Sequence, residues 1–202
     1  MGDHYYSRNP SSESRPQTIR TELRGESLVF KSDSGVFSKA DIDFGSRLLI
    51  DTLTQPQVAG PILDMGCGYG PIGITLARAW KERAITMVDI NERAVHLTKE
   101  NAELNNVRVN VYQSNLFANV SGKYALIVTN PPIRAGKETI YKLFEVAATH
   151  LLDGGELWIV IQKKQGAPST LKKLETLYNE VEVVTKKKGY YIIKATFVDE
   201  HS

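Results

Sequence analysis

Two short segments some sixty residues apart carry the residue types and spacings that can do chemistry. The first is Asp64-Met65-Gly66-Cys67-Gly68-Tyr69-Gly70, directly after the apolar run Pro61-Ile62-Leu63. The second is Asn130-Pro131-Pro132-Ile133, directly after Ala125-Leu126-Ile127-Val128. Each reads as the carboxyl end of a buried parallel strand, where open α/β sheets place their ligands. The first offers a glycine loop for a nucleotide-like cofactor. The second offers a rigid set of hydrogen-bond acceptors. Together they point to methyl transfer onto a planar nitrogen.

A strand, a glycine-rich turn and a helix turn backbone N–H groups outward. A side chain at Gly66 or Gly68 would block a ligand lying on that backbone, and such turns often need φ > 0. Asp64, just before the loop, suits a cofactor carrying an ammonium group and opposes a pyrophosphate. The spacing is G-x-G-x-G, whereas dinucleotide binders show G-x-G-x-x-G. Asp89 closes the next predicted strand, where an acid takes both ribose hydroxyls, and Ile90 is placed to cover one face of an adenine ring. Asn115, in Ser114-Asn115-Leu116-Phe117, is placed to read the adenine amino group while Leu116 packs nearby. Blander roles stay open: Asp89 as a charge at a helix N-terminus, Asn115 as an ordinary turn residue. Cys67 reads as a small packing residue rather than a nucleophile.

In the acceptor segment, two prolines fix φ and lack N–H donors, so the turn shows carbonyls with few competing donors. An amino group on an aromatic ring is a poor nucleophile because its lone pair is delocalised. If Asn130 Oδ1 and the Pro131 carbonyl each accept one of its N–H bonds, the lone pair is held toward an electrophilic methyl. Alignment of this kind supplies up to ~7–11 kcal/mol of a barrier, and the acceptors stabilise the developing positive nitrogen. No strong base is needed, and the chain shows no Ser/His/Asp or Cys/His set. His4, His96, His150 and His201 fall in the tail, on helices or at the terminus.

The surrounding elements must position these two strand ends. The chain has 202 residues, 42% hydrophobic and 24% charged, enough for one sizeable soluble core. No apolar stretch approaches the ~20 residues that span a bilayer, and no secretory signal is visible at the N-terminus, so a cytoplasmic enzyme is expected. A single cysteine excludes a disulfide framework and a multi-cysteine zinc site, and no metal is expected. Residues 1–20 read as a flexible tail and 21–202 as one domain opening with a β-hairpin over 21–34 that turns at Gly25-Glu26. A helix is expected over 40–53. Strands over 62–65, 84–88, 107–112, 124–129 and 156–162 alternate with helices over 71–80, from Asn91 to about 105, over 139–152 (stopped by Gly154-Gly155) and over 169–178, the signature of a parallel sheet. The chain ends in a predicted antiparallel hairpin, 181–185 and 190–197, turning through Lys186-Lys187-Lys188-Gly189.

These residues resemble the class I S-adenosylmethionine-dependent methyltransferases, and most closely the ribosomal RNA small-subunit guanine-N2 methyltransferases and their single-domain relatives. Gly35-Val36-Phe37-Ser38, Asp43-Phe44-Gly45-Ser46 and Asn130-Pro131-Pro132-Ile133-Arg134-Ala135-Gly136-Lys137 carry the resemblance. It implies a Rossmann-like seven-stranded, mostly parallel α/β sheet with an antiparallel last strand and helices on both faces. It implies S-adenosylmethionine as cofactor, with Phe37, Ser38, Lys39 and Asp43 to Ser46 at its methionine end. Ile133 stands where many such enzymes carry Phe or Tyr. Arg134, Lys137, Lys163 and Lys164 are the expected substrate contacts. Lys186 to Lys188, and a tail with Arg8, Arg15, Arg20, Arg24, Tyr5 and Tyr6, are further candidates. The expected substrate is guanine N2 in RNA, presented in a loop or single strand. A protein amide or a small amine is the alternative. A monomer or weak homodimer is expected.

Overall fold

A computed structural model describes residues 13–33 and 41–201. An antiparallel hairpin comes first, β1 (Gln17–Leu23) and β2 (Glu26–Ser32). Its first strand begins at Gln17, ahead of the expected Thr21. It turns on Arg24 and Gly25, at φ 53° and 76°, rather than on Gly25-Glu26. Two consecutive left-handed residues match the twist of the flanking strands. Arg24, expected in a basic arm, instead caps the end of the following helix, donating to the carbonyls of Ile50 and Leu53 at 2.8 and 2.9 Å.

Then come α1 (Phe44–Thr52), β3 (Ile62–Met65), α2 (Pro71–Ala79), β4 (Ile85–Asp89), α3 (Glu92–Leu104), β5 (Asn110–Gln113), β6 (Tyr124–Thr129), α4 (Lys137–Thr149), β7 (Leu151–Gln162), α5 (Ala167–Leu177), β8 (Glu180–Lys187) and β9 (Tyr190–Thr196). The seven-stranded sheet runs β5-β4-β3-β6-β7-β9-β8. Its pairings are parallel from β5 through β7. The last strand, β9, inserts antiparallel between β7 and β8. The strand order reverses between β3 and β6, which lie side by side, and such a switch point is where ligands bind.

The apolar residues of α1, α2, α3 and the hairpin form one core, and those of α4 and α5 form another. All of β3 and β6 is buried between them, which explains why these strands read as unbroken apolar runs. Further boundaries depart from expectation: α1 begins at Phe44 rather than at 40, and β5 at Asn110 rather than at 107. The Gly154-Gly155 pair lies inside β7 rather than stopping α4, because β7 starts at Leu151, opposite Tyr124. A Cβ at Gly155 would stand 2.8 Å from the Leu152 carbonyl oxygen and 3.0 Å from that of Tyr124. The final turn is the two-residue Lys188-Gly189, at φ 49° and 78°, so Lys186 and Lys187 belong to β8.

Candidate active site

The ends of β3 and β6 sit together. Thr129 Oγ1 donates to the Met65 carbonyl at 2.8 Å and ties them. Gly66 stands at φ +73°, and a Cβ there would project into open space. That is the condition under which a ligand can lie against the loop. Gly70 is the N-cap of α2 at φ +107°, and a Cβ there would meet Ile74 Cδ1 at 2.7 Å. The first glycine leaves room for a ligand; the second leaves room for the helix.

The loop is held by buried polar groups. Asp89 Oδ2 accepts from Gly68 N at 2.9 Å and Oδ1 from Asn91 N at 2.8 Å. Thr98 Oγ1 donates to the Gly68 carbonyl at 2.8 Å, and Asn101 Nδ2 to that of Tyr69 at 2.7 Å. Asn101 on α3 and Asn105, its C-cap four residues on, also bond the N–H and C=O of Lys31 and Val29. Their amides extend β2 as a further strand would, and so fasten the hairpin to the loop. Composition did not reveal these contacts, although polar residues at i and i+4 on an otherwise apolar helix stripe were a signal.

Asp64 is fully buried beneath the loop. Its Oδ2 accepts from Gly73 N, in the first turn of α2, at 2.9 Å. When ionised it supplies the anion that favours a helix N-terminus, where the Gly70 cap has no side chain. Its Oδ1 is buried with no hydrogen-bond partner. Burial pushes its carboxyl up to about 7, the Gly73 bond holding it down and the Asp89 charge adding to the rise. A cation above the loop relieves that cost. Burial, with the charges of Asp89 and Asp64, also pushes the Cys67 thiol well up, so it stays protonated and unreactive.

Two cavities flank this point. The first, about 240 Å³, is lined by Gly66 to Tyr69 of the loop, by Asn130 to Arg134, and by Asp43, Ser46, Gln162, Gln165 and Tyr190 among others. The second, about 260 Å³, holds Asp89, Ile90, Asn115 and Leu116. Gly66 and Pro132 line both. Asp64 lines neither and acts on them from below. Leu116 stands at φ +49°, a conformation costing roughly 1–2 kcal/mol for a residue with a Cβ. Ser114 Oγ, donating to the Leu116 carbonyl at 2.6 Å, helps to hold it there.

Asn130 Nδ2 donates to Ser46 Oγ at 3.1 Å. Among the described residues nothing engages Asn130 Oδ1 or the Pro131 carbonyl. Two acceptors are thus open at the first cavity. Ile133 is half-buried at its wall and Arg134 is exposed there. Lys137 lies outside both cavities, its Nζ 5.2 Å from the centre of the Tyr141 ring. Lys163 and Lys164 stand exposed just beyond Gln162. Phe37, Ser38 and Lys39 lie outside the described residues, as do Arg8, Tyr5 and Tyr6. Ser46, Gln162, Gln165 and Tyr190 were not singled out as site residues from their own chemistry; single polar residues without a motif gave no signal.

A protein of Bacillus subtilis (strain 168), named uncharacterized protein YbxB, is 60% identical over 198 residues, covering 96% of this chain and 98% of its own length. The ribosomal RNA small subunit methyltransferase C of Vibrio parahaemolyticus is 36% identical over 177 residues, 86% of this chain and 50% of that enzyme. The chain therefore spans about half the length of the methyltransferase C relatives it matches. The solved structure of the T. thermophilus 16S rRNA N2 G1207 methyltransferase (RsmC), in complex with AdoMet and guanosine, shares the fold at a TM-score of 0.79. It has 24% identity and covers 93% of this chain and 52% of that one. The family model for the methyltransferase small domain matches residues 27–194, and the chain belongs to that family.

Proposed function

We propose that the chain is an S-adenosylmethionine-dependent methyltransferase that modifies an exocyclic amine of an RNA base, guanine N2 in small-subunit ribosomal RNA. The observation that carries this reading is the meeting of the glycine loop and the acceptor turn, with Gly66 and Pro132 in the walls of both cavities. The relatives at 33–36% identity named as ribosomal RNA small subunit methyltransferase C support the RNA substrate.

The bound cofactor supplies an electrophilic methyl on a sulfonium. The chain does the rest. Asp89, at the end of β4 in the wall of the second cavity, would take the ribose hydroxyls. Ile90 and Leu116 cover the adenine, and Asn115 reads its edge. Gly66, Cys67, Gly68, Tyr69 and Gly70 form the cradle, with Asp64 countering the positive charge from beneath. Phe37, Ser38 and Lys39 take the methionine end. Asn130 Oδ1 and the Pro131 carbonyl accept the two N–H bonds of the target amine, while Pro132 and Ile133 wall the base. As positive charge grows on nitrogen, both acceptors stabilise it without reorganising. The proton then leaves from an acidic ammonium, so water at the mouth of the cavity suffices. Arg134, Lys137, Lys163 and Lys164 meet the RNA. With this reading go a cytoplasmic location and a monomer or weak homodimer.

The test is labelled-methyl transfer to three substrates offered separately: unmethylated ribosomal RNA, small subunits and protein extract. N2-methylguanosine is the expected product. Asn130→Ala is expected to lower the rate by roughly 10²–10³-fold, the scale of losing one preorganised charge-stabilising group, with cofactor affinity changed only a few-fold. Full activity in that variant refutes the role of Asn130, and label in protein replaces the RNA reading with an amide substrate.

A further inference from the structure

Gln162, Gln165 and Tyr190 line the first cavity from two turns that stand side by side. One is the 3-10 turn Lys163–Gln165 that follows β7. The other joins β8 to β9 at Lys188-Gly189. Lys163 N donates to the Gly189 carbonyl at 2.8 Å, and Gln162 Nε2 to the Tyr190 hydroxyl at 2.6 Å. The two turns therefore form one lip on the cavity.

Lys163, Lys164 and Lys188 stand on these turns, and Lys186 and Lys187 on the end of β8 that leads into the second; all five are exposed. The sequence has no acidic residue in 157–174 or in 183–198. Among the described residues none of the five makes an ion pair. Further along the same β-hairpin the pattern is different, since Lys194 stands between Glu156 and Glu182 at 4.0 and 3.4 Å. The acids near the cavity are engaged, Asp41 with Arg47 at 3.3 Å and Asp43 as the cap of α1. Two of the lysines are held over rings. Lys188 Nζ lies 5.0 Å from the centre of the Phe44 ring and Lys186 Nζ 4.7 Å from that of Tyr191. Phe44 in turn lies 5.3 Å from Tyr190, in the cavity wall. Like charges gathered on one lip repel one another, and a polyanion lying across them removes that cost. Spread along the two turns and the end of β8, they match a chain of phosphates better than one compact anion.

We propose that this lip is the docking surface for the phosphate backbone of the RNA strand whose target base enters the first cavity, with the 186–188 lysines as its outer half. The inference rests on the RNA reading above. An RNA partner is favoured over an acidic protein or a membrane because the lip borders the open amine acceptors of Asn130 and Pro131.

The experiment measures binding of an unmethylated small-subunit ribosomal RNA transcript as salt is varied. It compares the wild type, a Lys186→Gln/Lys187→Gln/Lys188→Gln triple variant and a control triple at Lys81, Lys123 and Lys172, exposed lysines outside both turns. Three phosphate contacts on a single strand contribute a slope of about 2 in log affinity against log salt. The lip variant is expected to lose about that slope and roughly 10- to 100-fold in affinity near 0.1 M salt, while binding S-adenosylmethionine as the wild type does. The control is expected to keep the wild-type slope. An unchanged slope in the lip variant, or an equal loss in the control, overturns the inference. If the wild type still forms N2-methylguanosine in that case, the RNA reading stands without this surface. If the wild type labels protein and no RNA, both fall together.

Discussion

The two strand ends that meet at this site are built in opposite ways. On the cofactor side nearly every polar group of the loop is already committed. Asp89 holds two backbone N–H groups, Thr98 and Asn101 hold two carbonyls, and Asp64 holds the start of α2. On the acceptor side Asn130 has one side-chain tie, to Ser46, and the Pro131 carbonyl has none among the described residues. The cofactor half is thus fixed by internal bonds before anything binds. The acceptor half is stiffened by covalent structure, through two prolines, so that its acceptors stay free. Both are preorganised, but only the second leaves its hydrogen-bonding capacity for the substrate. The two halves are expected to fail differently when altered.

Asp89→Ala breaks the contrast most. It removes the acceptor for two buried N–H groups, each of which costs roughly 1–3 kcal/mol when left unpaired, and it removes the proposed ribose contacts. Cofactor affinity is expected to fall about 100-fold or more, with a loss of stability of about 2–6 kcal/mol. Asn130→Ala is expected to leave both nearly untouched. Calorimetric titration with S-adenosylmethionine and urea denaturation of the two variants separate these outcomes. Equal cofactor affinity in Asp89→Ala would remove Asp89 from the ribose role.

Asp64 marks the electrostatic cost of the fixed half. Its carboxyl is at about 7 in the folded chain against 3.8 for the ordinary group. The folded state therefore holds the proton at pH values where the unfolded state has lost it. Stability from this group is greatest below about pH 4, falls as pH rises toward about 7, and is flat above that. Three pH units at 1.36 kcal/mol each make the full term about 4 kcal/mol. In Asp64→Asn this slope is expected to vanish, which urea titrations at pH 5, 6 and 8 would show as a smaller fall in midpoint than in the wild type. An unchanged pH dependence would mean that the buried carboxyl is ionised throughout. No titrating group of this kind sits on the acceptor turn.

The contrast also explains what could be read without coordinates. Strand β6 matches its expected bounds because an unbroken apolar run ended by Asn-Pro-Pro leaves no other register. Asp89, Ile90, Asn115 and Leu116, far apart in the chain, do line one cavity, because each follows a strand and parallel strands bring their carboxyl ends together. Other features depended on contacts between elements. Gly154-Gly155 looks like a helix stop, yet the pairing of Leu151 with Tyr124 draws it into β7. The place of Asp64 under the loop follows from the position of α2, since the acid answers the N–H of Gly73 rather than facing the cavity. The lysine lip needed two turns to be brought side by side, and a run of three lysines alone reads equally well as a solvated surface.

Ser46 gives the smallest effect and the finest test of the open half. It lies in the first turn of α1, is 5% exposed, and meets Asn130 at 3.1 Å. With its hydroxyl accepting from Nδ2, Ser46 fixes the Asn130 amide and leaves Oδ1 for the proposed amine. Alanine is a good helix residue, so Ser46→Ala keeps α1 while letting the amide rotate. One such hydrogen bond is worth about 0.5–1.5 kcal/mol net, so kcat is expected to fall about 2- to 10-fold with KM for RNA and cofactor affinity unchanged. Ser46→Thr restores the hydroxyl and is expected to recover most of the rate. A fall confined to KM, or no recovery with threonine, would assign Ser46 to packing and leave the prolines alone to orient the acceptors.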